Sequence, residues 1–440
     1  MHYVTGPATR IEGEVRVPGD KSVSHRAIML GAIAEGRSEV SGFLPGEDCL
    51  ATLAAVEAMG VGVVRHESTR LSIDGVGLHG LHAPGRALDM GNSGTAMRLF
   101  AGLLAGQAFD SELCGDASLS RRPMERVAEP LRQMGARIET LGGRPPLRIS
   151  GGQRLSGISY RMPVASAQVK SALLLAGLYA KGDTTVVEPA TSRDHTERML
   201  VAFGQPLERE PLQVRLAGRG RLQAATVDVP GDLSSAAFLM LAATLADSGE
   251  LVIDNVGLNP SRTGILDVFR LMGADFDLEP RAGTAGTEPA GRIRVRPARL
   301  RGTEIPPHLV PLAIDEFPAI FVAAALAEGE TGISGAQELR HKESDRIAVM
   351  AAGLRALGAR VIESPDGARI RGGALQAGEI DSKGDHRVAM AFAVAGIAAR
   401  GPLRILDTAN VATSFPGFVP LCRQIGLRID EYGADDKPVL

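Results

Sequence analysis

Residues 19–43 read GDKSVSHRAIMLGAIAEGRSEVSGF, and residues 384–408 read GDHRVAMAFAVAGIAARGPLRILDT. Both stretches have a polar start, an apolar segment rich in small residues, a glycine and then a strand-like segment. An apolar segment that is hydrophobic on all its faces is typical of a buried helix. The same order recurs in residues 91–115, 165–189, 231–256 and 315–336. The sequence therefore contains six copies of one small α/β motif.

Each copy contains two helical segments followed by a glycine, which can adopt the left-handed conformation that ends helices. The first helices are predicted to end at Gly36, Gly106, Gly182, Gly249, Gly329 and Gly401, and the second at Gly60, Gly135, Gly204, Gly273, Gly358 and Gly426. The five intervals between Gly36 and Gly401 average 73 residues. Solenoid repeats are shorter, at about 20–50 residues. Each copy is therefore expected to hold two helices and several strands, with the first helix buried and the strands outside.

Six copies of this length fit two globular halves of three copies each. We place one crossover between the halves near residues 227–230 and a second near residues 19–20, because the opening strand around residues 11–17 would pair with the later half. The sequence thus predicts two α/β domains, residues 1–19 plus 230–440 and residues 20–229, with a central cleft between them.

The composition narrows the function classes. The 440 residues include 48 Lys and Arg and 51 Asp and Glu, which gives a formal net charge of −3. This near balance argues against bulk nucleic-acid binding, which needs a basic excess. The three cysteines are far apart in sequence and show no metal-ligand spacing, so no metal site is expected. We expect a cytoplasmic protein without a signal peptide, because charges interrupt the N-terminus and the longest apolar run near the C-terminus, residues 388–399, is shorter than the roughly 20 residues of a membrane span.

Lysine is scarce in this chain. Only six of the 48 cationic side chains are lysines, at positions 21, 170, 181, 342, 383 and 437. Genome base composition is one explanation. Lysine is a compact point charge and arginine a planar fork, so the two serve different roles. Each lysine is therefore a candidate for a specific role.

The polar starts of the buried helices are the candidate binding elements, because a helix N-terminus favours phosphate and carboxylate groups. Asp315 and Glu316 precede one such helix and suit either capping or general-base chemistry. Lys342 and Arg346 are four residues apart and are predicted to share a helix face, although an exposed salt-bridged helix is the alternative. Six cations from four copies belong to this set, namely Lys21, Arg26, Arg122, Lys342, Arg346 and Arg387. The pattern predicts small polyanionic ligands, and the absence of a Walker loop argues against a nucleoside triphosphate.

Six motifs taken together resemble the 5-enolpyruvylshikimate-3-phosphate synthase family. In chain order they are PGDKSVSHRA (18–27), GNSGTAMR (91–98), GDASLSRRP (115–123), HKESDR (341–346), DHRVAMAF (385–392) and TSFPGF (413–418). Each is modest alone, but they follow the family's order over essentially the whole chain. The resemblance implies two inside-out α/β domains, each with three βαβαββ repeats. It also implies a monomer without a cofactor or metal.

The resemblance implies transfer of the enolpyruvyl group of phosphoenolpyruvate to the 5-hydroxyl of shikimate 3-phosphate, by addition and then elimination of phosphate. It assigns shikimate 3-phosphate to Lys21, Ser22, Arg26, Ser166, Ala167, Gln168, Arg193, Asp315 and Lys342, and phosphoenolpyruvate to Lys21, Gly94, Arg122, Gln168, Arg346 and Arg387. Lys21 contacts both substrates. Asp315 is favoured as the base at the 5-hydroxyl, with Lys342 as the alternative, and Glu343 is the proton donor to the vinyl carbon. Glyphosate occupies the phosphoenolpyruvate site in this family, and Gly94, which carries no methyl group, predicts sensitivity to it.

Four positions depart from the best-known bacterial pattern. Ala167 replaces a second phosphate-binding Ser, Glu338 replaces an Asn, Thr413 replaces a Lys and His195 replaces a Tyr. These departures resemble the family's divergent branch, which includes glyphosate-tolerant members. They put substrate affinities in question rather than the reaction.

Two alternative functions are kept. The first is the sister enzyme that transfers enolpyruvyl to UDP-N-acetylglucosamine, because Cys114 lies in the region of that enzyme's loop cysteine; Cys114 also suits the end of an apolar strand. The second is a non-catalytic repeat scaffold that binds anions. It explains the repeats but not the acids Asp315 and Glu343 among the cations.

Overall fold

The computed structural model describes residues 1–281, 287–433 and 435–439. The chain divides into two compact units. The middle unit contains Gly19–Val229 together with Thr287 and Glu288, and the split unit contains Met1–Pro18 and the other described residues from Pro230 onward. Each unit has its own hydrophobic core.

The described residues form twelve α-helices, in which long first helices alternate with second helices. They are α1 (Lys21–Ile33), α2 (Glu47–Ala58), α3 (Gly94–Ala105), α4 (Glu125–Gln133), α5 (Ala167–Gly177), α6 (His195–Ala202), α7 (Leu233–Leu245), α8 (Gly264–Leu271), α9 (Phe317–Leu326), α10 (Arg346–Ala356), α11 (His386–Ala395) and α12 (Phe418–Gln424).

The strands are short. They are β1 (His2–Gly6), β2 (Gly13–Val15), β3 (Glu35–Ser41), β4 (Gly62–Glu67), β5 (Arg70–Val76), β6 (Leu88–Asp89), β7 (Ser111–Cys114), β8 (Arg137–Leu141), β9 (Arg144–Ser150), β10 (Ser159–Arg161), β11 (Thr184–Val187), β12 (Leu207–Glu210), β13 (Gln213–Leu216), β14 (Thr226–Asp228), β15 (Leu251–Gly257), β16 (Asp275–Pro280), β17 (Ala290–Arg296), β18 (Glu330–Ile333), β19 (Arg360–Ser364), β20 (Gly367–Arg371), β21 (Gly378–Asp381), β22 (Leu403–Leu406) and β23 (Arg428–Tyr432).

The middle unit holds three small sheets with one common plan. Their orders are β14-β3-β5-β4, β6-β7-β9-β8 and β10-β11-β13-β12. In each sheet the first pair is parallel and the other two pairs are antiparallel. A parallel pair needs a crossover connection, which the first helix supplies in the second and third sheets. In the first sheet, β14 from the far end of the unit takes the place of the opening strand.

The split unit repeats the plan with strands from both ends of the chain. Its sheets are β16-β17-β15-β2, β18-β20-β19 and β21-β22-β1-β23. The N-terminal β1 lies between β22 and β23 and pairs antiparallel with both. β2 pairs parallel with β15, which confirms the predicted pairing of the opening strand with the later half. In the three-stranded sheet, isolated parallel bridges at Arg301 and Glu304 stand where a fourth strand would lie.

The first helix of each repeat is buried on all sides, which confirms the predicted inside-out α/β arrangement. Residues 233–244 of α7 and 317–325 of α9 are all buried. Helices α1, α3 and α5 belong to the core of the middle unit, and α7, α9 and α11 belong to the core of the split unit. Because these helices are apolar all round, they gain most when sheets and second helices cover every face.

The predicted glycine ends are right for the second helices and for α3, which ends at Gly106, and wrong for the other first helices. Each second helix is followed by a glycine with φ between +86° and +104°. By contrast, α1, α7 and α9 end earlier, at the extended residues Ala34, Ala246 and Ala327. An extended residue turns the chain directly into the next strand, so no left-handed cap is needed. Gly249 serves close packing instead, because a Cβ there would lie 2.0 Å from the carbonyl oxygen of Ile11.

None of the helices in the described part of the chain is both long and apolar enough to cross a membrane.

Candidate active site

The start of α1 presents a lysine held by a carboxylate. Asp20 caps the helix by accepting a hydrogen bond from the backbone nitrogen of Val23. Lys21 Nζ lies 2.9 Å from Asp48 Oδ2, and both side chains are largely buried. The lysine is therefore fixed at the helix start, with Ser22 beside it.

Arg26, one turn further along α1, is a buried cation with three fixed donors. Its guanidinium donates to Thr196 Oγ1 at 2.6 Å, to Ser171 Oγ at 2.8 Å and to the carbonyl oxygen of Ser22 at 2.9 Å. Burial lowers the pKa of Arg26 to about 10, so the group stays charged at neutral pH. These bonds connect α1 with α5 and α6.

The start of α3 is surrounded by two guanidinium groups. An added Cβ on Gly94 would lie 2.9 Å from Arg98 Nη1 and 3.2 Å from Arg122 Nη1. Arg122 is held by a hydrogen bond to Asn92 Oδ1 at 2.5 Å, and Arg98 donates to Gln168 Oε1 at 2.5 Å. The absence of a side chain at position 94 leaves room beside both cations.

Hydrogen bonds hold the three first helices of the middle unit together at their N-terminal ends. Gln168 of α5 donates from Nε2 to Thr95 Oγ1 of α3 at 2.9 Å. His25 of α1 lies 2.7 Å from Thr52 Oγ1 and 3.3 Å from Ser93 Oγ, the cap of α3. Ser166 caps α5 by accepting from the backbone nitrogen of Val169, and Ala167 is the first residue of that helix. Arg193 lies partly buried just before α6.

In the split unit, Asp315 lies among three cations. Its Oδ1 is 3.5 Å from Lys342 Nζ and 3.5 Å from Arg346 Nη1, and its Oδ2 is 3.9 Å from Arg387 Nη2. Only 14% of the Asp315 side chain is exposed. A negative charge at this position offsets the mutual repulsion of the three cations.

Arg346 is almost completely buried and is held by two further carboxylates. Its Nε donates to Asp385 Oδ2 at 2.8 Å, and its Nη2 donates to Glu343 Oε2 at 2.7 Å. Burial by itself would lower the pKa of Arg346, but Asp385, Glu343 and Asp315 outweigh burial and raise that pKa above its ordinary value. Among the described residues, Nη1 has no hydrogen-bond partner. A ligand oxygen is the natural acceptor for such a buried charged donor.

The prediction that Lys342 and Arg346 share a helix face is wrong. Lys342 follows the 3-10 turn Gln337–His341 with an extended backbone, whereas α10 begins at Arg346, with Asp345 as its cap. The cap ends the extended segment and starts the helix, so only Arg346 is helical. Both side chains nevertheless lie at the same distance from Asp315.

Glu316, the neighbour of Asp315, belongs to a different buried network. Its side chain is fully buried, and the hydroxyl of Ser234 donates to Oε1. Arg262 Nη2 lies 3.4 Å from the same oxygen and donates to Ser234 Oγ at 2.6 Å. Of the two adjacent acids that the sequence singles out, Glu316 therefore connects α9 to α7, and Asp315 faces the cations.

Two of the departures from the family pattern make defined contacts in the structure. Thr413 is buried and donates from its hydroxyl to the carbonyl oxygen of Asn410 at 2.7 Å, which holds the 3-10 turn Ala409–Thr413. His195 is buried, with Nδ1 at 2.7 Å from Glu288 Oε1. Glu338 lies partly buried in the turn before Lys342.

Cys114 is the last residue of β7, where its Sγ contacts the carbonyl oxygen of Leu88 at 3.7 Å. Burial raises the pKa of this thiol, so the neutral form is favoured.

In the described ranges no three His, Cys, Asp or Glu side chains are grouped as metal ligands.

Several side chains in these clusters, Arg98 and Asp385 among them, were not predicted from the sequence as site residues. Arg98 touches both the Gly94 region and Gln168, and Asp385 holds Arg346. A signal existed for Arg98, a lone cation inside an otherwise apolar helix. Asp385 also caps α11, where it accepts from the backbone nitrogen of Arg387.

The fold and these clusters define an α/β protein of six repeats whose helix starts carry cations and carboxylates. The family model described as EPSP synthase (3-phosphoshikimate 1-carboxyvinyltransferase) matches residues 5–421. The chain is 58% identical over 430 residues to the 3-phosphoshikimate 1-carboxyvinyltransferase of Methylococcus capsulatus, covering 97% of this chain and 98% of the relative. It is 59% identical over 428 residues to the same enzyme of Acidithiobacillus ferrooxidans, covering 97% and 98%.

A solved structure of EPSP synthase from Acinetobacter baumannii matches with a TM-score of 0.87 and 50% identity, covering 98% of this chain and 99% of that chain. This chain belongs to the EPSP synthase (3-phosphoshikimate 1-carboxyvinyltransferase) family.

Proposed function

We propose that this protein transfers the enolpyruvyl group of phosphoenolpyruvate to the 5-hydroxyl of shikimate 3-phosphate, with release of phosphate. Family membership supports this reaction over the sister reaction on UDP-N-acetylglucosamine and over a non-catalytic scaffold. The reaction belongs to the shikimate pathway that leads to chorismate and the aromatic amino acids.

The structural observation that supports the proposal most directly is the environment of Arg346. It is a buried cation that has three carboxylates around it and one N–H group without an acceptor among the described residues. A buried charged donor left unpaired costs free energy, so a site of this kind is suited to an anionic ligand. A carboxylate or phosphate oxygen of phosphoenolpyruvate would fill that position.

The other binding roles follow the family resemblance. We propose that phosphoenolpyruvate binds through Lys21, Gly94, Arg122, Gln168, Arg346 and Arg387, and shikimate 3-phosphate through Lys21, Ser22, Arg26, Ser166, Ala167, Gln168, Arg193, Asp315 and Lys342. Arg26 donates to Thr196 and Arg122 donates to Asn92, which holds both guanidinium groups in place. Fixed donors of this kind bind an anion without paying to order it.

The chemistry needs one base and one acid. The base removes the 5-hydroxyl proton while the oxygen attacks C2 of phosphoenolpyruvate, and the acid delivers a proton to C3, which becomes a methyl group. Phosphate then leaves with the oxygen that joined it to C2, and a proton lost from the methyl group restores the double bond.

We assign the acid to Glu343 and the base to Asp315, with Lys342 as the alternative base. Asp315 lies 3.5 Å from Lys342 Nζ, so either group could hold the proton and pass it to the other. Arg346 and Arg387 would stabilise the charge that develops on the phosphate as it leaves. Lys21 completes the catalytic set by contacting both substrates.

We also propose that glyphosate inhibits by occupying the phosphoenolpyruvate site, and that the protein acts as a cytoplasmic monomer. The support for inhibition is that Gly94 lacks a methyl group, which would lie 2.9 Å from Arg98 Nη1 and 3.2 Å from Arg122 Nη1. Free cysteines suit a reducing compartment.

The proposed reaction is tested by phosphate release from phosphoenolpyruvate without added metal. We expect release with shikimate 3-phosphate and none with UDP-N-acetylglucosamine. Phosphate release only with UDP-N-acetylglucosamine would show that the protein catalyses the sister reaction. No phosphate release with either acceptor would favour the non-catalytic anion-binding scaffold.

A further inference from the structure

Lys170 is a buried lysine to which the proposed reaction gives no role. It lies in α5, and only 2% of its side chain is exposed. Its Nζ is 2.6 Å from Glu188 Oε2 and 2.7 Å from Glu197 Oε1, and both carboxylates are also buried. Buried charges are costly unless they are closely paired, so three together are not an incidental feature of a core.

One side of this group reaches the segment before α6. The hydroxyl of Ser192 donates to Glu188 Oε1, the carboxylate oxygen that does not face Lys170. Ser192 immediately precedes Arg193, a proposed ligand of shikimate 3-phosphate. Glu188 therefore connects Lys170 to the N-terminal side of Arg193.

The other side reaches the C-terminal side of Arg193. Glu197 follows Thr196 in the first turn of α6. Thr196 donates to Ser171 Oγ at 2.7 Å and accepts from Arg26 Nε at 2.6 Å. Burial lowers the pKa of Arg26, and the Glu197 carboxylate opposes that effect. The segment with Arg193 is thus held at both ends, and Arg26 is joined to the same network.

We propose that Lys170 is a positioning residue that holds Arg193 and Arg26 for the anionic groups of shikimate 3-phosphate by way of Glu188 and Glu197. This inference rests on the proposed function. A lysine suits the position because a compact ammonium group can meet two carboxylates from two sides, whereas a planar guanidinium needs more room. Ser166 lies one turn before Lys170 on the same face of α5, so the lysine also fixes the helix that presents Ser166.

The test compares Lys170→Met and Glu188→Gln with the wild-type protein and with Lys181→Met, which removes an exposed lysine just beyond α5. Calorimetry measures the Kd of shikimate 3-phosphate alone, steady-state assays give the KM of phosphoenolpyruvate at saturating shikimate 3-phosphate, and thermal unfolding reports the fold. We expect the Kd to rise about 10-fold in the two network variants, the effect of weakening one charged hydrogen bond. The KM of phosphoenolpyruvate should stay within about twofold, and Lys181→Met should match wild type.

Two results would overturn the inference: wild-type affinity for shikimate 3-phosphate in a folded network variant, or an equal rise in both constants, which would indicate general loosening. If Lys170→Met does not fold, Glu188→Gln decides, because it is close to isosteric and leaves Lys170 paired with Glu197. Wild-type protein that neither binds nor turns over shikimate 3-phosphate would instead remove the proposed function itself. The two failures are therefore distinguishable.

Discussion

Arg346 Nη1 and Asp315 Oδ1 lie 3.5 Å apart, close enough to interact as charges, while that nitrogen lacks a hydrogen-bond acceptor in the described part of the chain. The pair joins the start of α10 to the segment just before α9. Since the same arginine is fixed by Asp385 and Glu343, it cannot move away to find another acceptor. Asp315 therefore lies beside a charged donor that has no hydrogen-bond acceptor among the described residues.

Asp315→Asn is expected to lower kcat by about 100- to 10,000-fold, the usual contribution of a general base. The amide keeps the shape of the carboxylate but cannot accept the 5-hydroxyl proton. Steady-state kinetics measures the effect, and the pH profile of kcat in Lys342→Met decides between the two candidate bases. Asp315→Asn that retains wild-type kcat would assign the base to Lys342.

Glu343→Gln is expected to abolish proton delivery to the vinyl carbon while substrates still bind. The amide oxygen can still accept from Arg346 Nη2, so the arginine should keep its position. Deuterium incorporation into C3 of phosphoenolpyruvate in heavy water, followed by NMR, reports this proton step directly. Incorporation at the wild-type rate in the variant would show that another group is the acid.

Gly94→Ala is expected to raise the KM of phosphoenolpyruvate and to raise the inhibition constant of glyphosate further. The new methyl group would lie 2.9 Å from Arg98 Nη1 and 3.2 Å from Arg122 Nη1, so both guanidinium groups must shift. Arg98 has little freedom to do so, because it is bonded to Gln168 and to the carbonyl oxygen of Pro123. Inhibition kinetics against phosphoenolpyruvate measures both constants. If the wild-type protein is itself insensitive to glyphosate, the assumption behind this prediction is wrong.

Cys114→Ser is expected to leave turnover with shikimate 3-phosphate unchanged. The thiol contacts a backbone carbonyl at the end of β7, and its raised pKa favours the neutral form. Ser is nearly isosteric, so the strand should be preserved. A large loss of kcat with intact folding would revive the sister enzyme's acid chemistry.

His25 is expected to make the protein less stable in mild acid. Burial, followed by the charges of Lys21 and Arg26, lowers the pKa of His25 well below its ordinary value of 6.5. As the pH falls below that value, the unfolded chain binds a proton that the folded chain does not, so the free energy of unfolding decreases. The slope is at most about 1.4 kcal/mol per pH unit for one group.

The matched variant for this effect is His25→Asn, which cannot titrate in this range. Thermal unfolding from pH 7.5 to 5 should show a shallower loss of stability in the variant than in wild type. Parallel curves would mean that the folded chain protonates His25 as readily as the unfolded chain.

The repeat pattern predicted much of the fold because helix burial is recorded locally. A helix that must be apolar on every face carries that requirement in its own residues, as in Phe317–Leu326. The glycines after the second helices are similarly local, since a left-handed residue is needed at that point. After the first helices, Gly36, Gly182, Gly249 and Gly329 have positive φ beyond the helix ends, near the start of the next strand, so the glycines do not mark where those helices end.

The sequence predicted which residues belong to the candidate site, but it predicted only part of how their side chains are arranged. Sequence alone could place Asp315 and Glu316 at one helix start, but both are acidic and adjacent, and nothing local tells them apart. The structure separates them, because Glu316 points to Ser234 and Asp315 to the cations. Similarly, the four-residue spacing of Lys342 and Arg346 predicted a shared helix face, whereas in the structure the helix begins only after its cap, Asp345.

By itself, the sequence determined six α/β repeats, two helices in each, and a set of helix starts rich in cations. Only the tertiary structure decided that β1 lies between β22 and β23, that Lys170 faces two carboxylates, and that Arg346 keeps one donor without an acceptor in the described residues. The physical reason is the separation along the chain of the residues that interact. Periodicity, burial and capping depend on neighbours along the chain, whereas ion pairs and strand partners depend on which distant segments pack together.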